Sequence, residues 1–174
     1  VDATNIDEVV SAFEAQLFDL GDWGHELALL AEAWVSIAPD APNKAFAHVS
    51  AWDRLDPAHH GLYAVTRAWA RLDPADAADA VSRLDGSAQK RAEQGLIQGW
   101  GENGDSGIWE YVSKMGPDKL DREQASIQAM RAVFRSEGAD RLFSQVAALP
   151  DRMHGKYKLH AFRSAGSLVA RADP

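Results

Sequence analysis

The chain has 174 residues, 46% of them hydrophobic and 25% charged, and contains no cysteine. That is the length of one domain, with enough apolar material for a core, and it excludes disulfides, thiolate catalysis and cysteine-bound zinc. A net charge of −8 repels phosphate backbones and argues against nucleic acid as a partner.

The longest mostly apolar run, Leu27 to Ala38, is interrupted by Glu32 and is too short to span a bilayer, so no membrane insertion is expected. No segment has the pattern of a signal peptide. The first residue is Val1 rather than Met, which fits either removal of a preceding segment or a cut from a longer chain. The compartment stays open.

Apolar spacing near 3.6 residues predicts ten helices, at about 5–20, 25–38, 42–55, 57–71, 74–84, 87–101, 106–115, 119–136, 139–149 and 156–172. Trp109, Val112 and Met115, then Leu142, Val146 and Leu149, illustrate the spacing. No useful length alternates with period two, so no sheet is expected. Short connections predict antiparallel neighbours.

Certain landmarks recur. A bulky residue ends successive helical stretches at Trp34, Trp69, Trp100, Phe134 and Val169. Fifteen residues after the first four come Val49, Leu84, Met115 and Leu149. Two unrelated landmarks holding one spacing mark a repeat of about 35 residues. The segment Ala68-Trp69-Ala70-Arg71-Leu72-Asp73-Pro74 is echoed at 168–174, and again, half a repeat out of phase, at 51–57. Asp can accept a hydrogen bond from the first helical turn, and Pro suits the first helical position. Asp56-Pro57 and Asp73-Pro74 are therefore read as helix junctions. Gly86, Gly104, Gly116-Pro117 and Gly138 punctuate the rest.

Ser87 to Met115, SAQKRAEQGLIQGWGENGDSGIWEYVSKM, resembles a HEAT-type repeat, with an Arg/Ala-rich first helix, a glycine corner and an amphipathic second helix in that order. The Trp-Ala-x-x-Asp-Pro form at Trp69 to Pro74 also resembles helical repeats of large bacterial proteins. Tetratricopeptide repeats have a similar length, but their tryptophan stands early in the first helix. The resemblance covers about residues 25–174 and implies an all-α, right-handed α-α superhelix (a HEAT/TPR-like solenoid) and a mode of binding; it carries no catalytic residues. One domain, 1–174, is expected: a capping helix in 1–24, then about four and a half hairpins in 25–174.

Several patterns invite chemistry. Gly99-Trp100-Gly101-Glu102-Asn103-Gly104 spells G-x-G-x-x-G, but a dinucleotide site needs it to follow a strand and open a helix. Here it ends a helical stretch and reads as a hairpin corner. GENGDSG, 101–107, hints at calcium, with glycines misplaced for an EF-hand loop. His25-Glu26 does not extend to H-E-x-x-H, since Leu29 stands in the last place. His59 and His60 are adjacent, and His154 and His160 share no face; surface or capping roles are expected for the histidines, His48 included. Asp73, Asp76 and Asp79 could pair as acid and base, yet charge at a helix N-terminus is the simpler reading. Neither a cofactor, a metal nor a catalytic residue is expected. Trp34, Trp69, Trp100 and Trp109 are expected in the core, while Trp23 and Trp52 break the phase and are freer for a contact.

The function this suggests is a non-catalytic protein- or peptide-binding module. Second helices of stacked hairpins line the concave side, which puts Asp76, Asp79, Arg83, Glu110, Tyr111, Lys114, Arg141 and Gln145 on the binding face. The alternative is a helical accessory domain of a larger enzyme or envelope protein. Residues 1–40 hold nine acids and no Lys or Arg, whereas 150–174 hold five basic residues and two acids. Salt-sensitive head-to-tail self-association is one consequence; a solvated acidic cap is the other.

Overall fold

The computed structural model describes residues 5–20, 24–52, 55–114, 122–148 and 155–172. Trp23, Met115, Gly116, Pro117, Leu149, His154, Asp173 and Pro174 lie outside the described residues, as do the side chains of His25, Asp56, Pro57, His59 and His160. The described residues form nine helices and no strand: α1 (Ile6–Leu20), α2 (Gly24–Val35), α3 (Ala41–Ser50), α4 (Leu55–Leu72), α5 (Pro74–Ser82), α6 (Gly86–Asn103), α7 (Gly107–Lys114), α8 (Arg122–Ala147) and α9 (Gly155–Ala172). The protein is all-α. Two compact units divide it, 1–99 and 100–174.

In the first unit α4 is the central helix. Leu62, Ala64, Val65, Thr66, Ala68, Trp69 and Ala70 are all buried, so α4 is enclosed on nearly every side, as a core helix must be. It packs on α2, α3 and α5. The surrounding helices each bury one stripe at helical spacing. These are Leu27, Ala31 and Trp34 on α2, Ala41, Ala45 and Val49 on α3, and Ala77, Ala80 and Val81 on α5.

Helix α6 meets α4 by a different device. A methyl group built on Gly95 would stand 2.3 Å from the Tyr63 carbonyl oxygen, and one on Gly99 would stand 2.1 Å from that of Arg67. Both pairs are four residues apart, one helical turn on each partner. Only glycine permits main chains this close. The Arg91 guanidinium also lies over the Tyr63 ring at 5.5 Å, a cation–π contact between the same two helices.

In the second unit α8 packs on α7 and α9. Its core gathers Met130, Val133, Leu142, Val146, Ala161 and Ala165, with Trp109, Phe134, Phe143, Leu168 and Val169 half-buried around them. Gly138 interrupts α8 with φ 83° and ψ −178°, a conformation essentially reserved to glycine. That is where the sequence reading places a junction between two helices.

Asp73-Pro74 behaves as the local chemistry requires. Asp73 is extended, its Oδ1 accepts from the Asp76 N–H at 3.0 Å, and Pro74 opens α5. Asp56-Pro57 differs from expectation: α3 already ends at Ser50 and α4 begins at Leu55. The pair thus falls inside the first turn of α4, where proline is still tolerated because those N–H groups have no helical acceptor.

Candidate functional site

The expected binding residues divide by unit. Asp76 and Asp79 on α5, and Arg83 at its C-cap, are all exposed, and Arg83 Nη2 stands 3.6 Å from Asp79 Oδ2. The buried stripe of this short helix is narrow and alanine-rich, so its opposite face is free to carry charge. On α7, Ile108 and Val112 are buried one turn apart, and Glu110 and Lys114 face outward with Lys114 Nζ donating to Glu110 Oε1 at 2.6 Å. That hydrogen bond, and next the lysine's charge, hold the Glu110 carboxyl below the ordinary glutamate range. Tyr111 is half-buried, its ring 5.5 Å from that of Trp100. On α8, Arg141 is exposed and its Nε donates to Glu137 Oε2 at 3.0 Å, while Gln145 is half-buried. Asp79, Arg83, Glu110, Lys114 and Arg141 therefore each meet an opposite charge four residues away along the chain. Such faces are polar without strong net sign.

Trp34, Trp69 and Trp100 are buried, at 6%, 3% and 8% exposure. Trp109 is only half-buried against the second core. Trp52, expected to be free for a contact, is half-buried and engaged: its Nε1–H donates to Glu14 Oε1 at 2.7 Å. The same oxygen lies 2.5 Å from His48 Nε2. A carboxylate only accepts, so that nitrogen carries the proton. The His48 ring stands edge-on to Trp34 at 5.3 Å and to Trp52 at 6.3 Å. Gly61 of α4 leaves room for the Trp52 ring, which a methyl group there would meet at 2.7 Å. One carboxylate thus gathers donors from two places 34 and 38 residues along the chain. Nothing in the sequence joins Glu14 to either partner; the only signal is that Trp52 breaks the repeat.

The G-x-G-x-x-G string is accounted for by packing. Gly99 makes room for the Arg67 main chain, Gly101 is buried against Gln128, and Gly104 has a φ of 86° just after α6. Asp105, in the stretch that suggested calcium, uses both oxygens locally. Its Oδ2 accepts from the Trp100 indole at 2.9 Å and its Oδ1 from the Gly107 N–H at 3.1 Å. This carboxylate orients the corner through an Asx-type bond to the first residue of α7.

Among the described residues no three His, Asp or Glu side chains are grouped to hold a metal ion, and no helix is long and apolar enough to cross a membrane. No protein family, curated protein or solved structure matches the chain.

Proposed function

We propose that this chain is a non-catalytic helical-repeat module of the HEAT-like kind, a right-handed α-α superhelix that binds a protein or peptide. One observation carries the reading: helices alternate between long and short in step with the landmarks. Trp34 lies on α2, Trp69 on α4 and Trp100 on α6, each helix longer than the one that follows it, with α2, α4 and α6 spanning 12, 18 and 18 residues against 10, 9 and 8 for α3, α5 and α7. Phe134 precedes the break at Gly138, after which a short helical run ends at Ala147. We read a long helix carrying a bulky aromatic, then a short helix burying one stripe, as one unit of a stack in which each repeat contacts its neighbours. The short helices then supply the binding face. Asp76, Asp79 and Arg83 do so in the first unit, and Glu110, Tyr111, Lys114, Arg141 and Gln145 in the second.

Alternating acid and base on these faces suits a polar peptide of mixed charge better than a polyanion. The test is selection of binding peptides from a displayed random library on the intact chain. Each selected peptide is then measured against the variants Asp79→Lys, Lys114→Glu and Arg141→Glu. The reading expects at least one variant to weaken binding about tenfold, the equivalent of 1.4 kcal/mol. Selected peptides that bind all three variants as well as the original chain would overturn it.

A further inference from the structure

We infer that the exposed face of α9 docks on the exposed face of α2 in a second copy of the chain. The two helices are opposites in charge and alike in leaving an apolar residue uncovered. Helix α2 contains Glu26 and Glu32 and no Lys or Arg; Glu32 is paired with Arg71 of α4, which leaves Glu26 as the acid this face offers. Leu27, Ala31, Trp34 and Val35 turn inward, and the outward face presents Glu26 and Leu29 one turn apart. Leu29 is 56% exposed, a large aliphatic side chain in water one turn from exposed Glu26.

Helix α9 contains Lys156, Lys158, Arg163 and Arg171 and no Asp or Glu. Ala161 and Ala165 turn inward, toward the core shared with α8. On another face Phe162, Gly166 and Ala170 follow one another at four-residue spacing. Phe162 is 36% exposed and Ala170 is exposed. A methyl group added at Gly166 would meet no atom within 4 Å. The strip is therefore flat, apolar and uncovered, with exposed Arg163 beside it.

Leu29 beside Glu26 and Phe162 beside Arg163 are complementary in both respects. Apolar contact supplies affinity, and the opposite charges at the rim steer and orient the encounter. Because two different faces meet, the contact is heterologous, and copies add head to tail into rings or open chains. Its residues are different ones from those proposed for peptide binding.

The experiment is sedimentation of the full chain and of two variants, Leu29→Asp and Phe162→Asp, over a range of protein concentrations. Both positions are exposed, and circular dichroism checks that the helix content is kept. The original chain is expected to grow with concentration and to dissociate at high salt. Its association should weaken at least about tenfold between 0.1 and 1 M salt, as the screening length falls from about 10 to about 3 Å. Each variant alone should be monomeric. Mixed in equal amounts they should form a dimer that grows no further, because each retains the face that the other lacks; a misfolded variant could not give that result. The charge variants Glu26→Lys and Arg163→Glu should behave as a second such pair. An original chain that stays monomeric at low salt, a single variant that still associates, or a mixture that stays monomeric would each overturn the inference. So would an original chain that is captured by anionic phospholipid vesicles through α9 without self-association, since that assigns the face to a lipid surface.

Discussion

The Gly99 α-carbon lies so close to α4 that a methyl group on it would stand 2.1 Å from the Arg67 carbonyl oxygen. Backbone cannot yield as a flexible side chain can, so this contact fixes the spacing of α4 and α6 in the first unit. Gly99→Ala is expected to cost at least about 3 kcal/mol, the upper end of the range for overpacking. Gly166→Ala, inside a helix and facing open space, is expected to have the opposite sign, a gain of about 0.5–1 kcal/mol. Urea denaturation of the two variants checks this. Equal effects would mean that α4 and α6 are not in main-chain contact.

Trp69 is 3% exposed and meets Phe46 edge-on at 5.9 Å. Trp69→Ala is expected to destabilise by roughly 3–5 kcal/mol, as deletion of a buried large aromatic does. Asp79→Ala, on the solvated face of α5, is expected to change stability by no more than about 0.5 kcal/mol. Thermal melts of both variants provide the comparison.

Thr66 is fully buried on α4, and its hydroxyl has no hydrogen-bond partner among the described residues. Thr66→Val exchanges that hydroxyl for a methyl group of similar size. The exchange is expected to raise stability by about 1 kcal/mol, because an unsatisfied buried group is removed. A loss of similar size in a denaturant titration would reveal an acceptor for the hydroxyl.

The Glu110 carboxyl is held low by its hydrogen bond to Lys114 and then by the lysine's charge. A depressed folded value stabilises the fold above the unfolded glutamate value. The contribution is lost as pH falls through the folded value. Lys114→Met is expected to move the Glu110 titration back up toward the ordinary glutamate range, as read by NMR of the side-chain carboxyl carbon. A titration unchanged by the substitution would place Glu110 away from Lys114.

What was legible in the sequence follows the range of the interactions. Asp73-Pro74 could be read as a junction because a cap and its first turn lie within three residues. The buried phase of Trp34, Trp69 and Trp100 could be read because helical periodicity and repetition are both written along one chain. Asp56-Pro57 carries the same signature, yet α4 starts at Leu55; proline fits anywhere in a first turn, so the motif fixes a start only to within a few residues. In the glycine string 99–104 the corner at Gly104 was recognisable, although Gly99 and Gly101 lie inside α6. The reason for Gly99 was not, because it lies in the main chain of Arg67 on another helix. The Glu14, His48 and Trp52 cluster left no trace either: its partners are more than thirty residues apart, and no local pattern encodes a tertiary hydrogen bond. On the proposed binding faces the residues were legible as exposed. The pairing of Asp79 with Arg83 and of Glu110 with Lys114 follows from their spacing of four, and it lowers the net sign that a partner meets.

The most direct test of the binding reading is amide chemical-shift mapping of the intact chain, titrated with a peptide selected on it. The largest shifts are expected at Asp76 and Asp79 on α5 with Arg83 at its C-cap, at Glu110, Tyr111 and Lys114 on α7, or at Arg141 and Gln145 on α8. The buried landmarks Trp34 and Trp69 are expected to change little. Shifts that avoid all of those residues and gather instead around Glu14, His48 and Trp52 would contradict that reading and place the binding site at the indole and imidazole cluster.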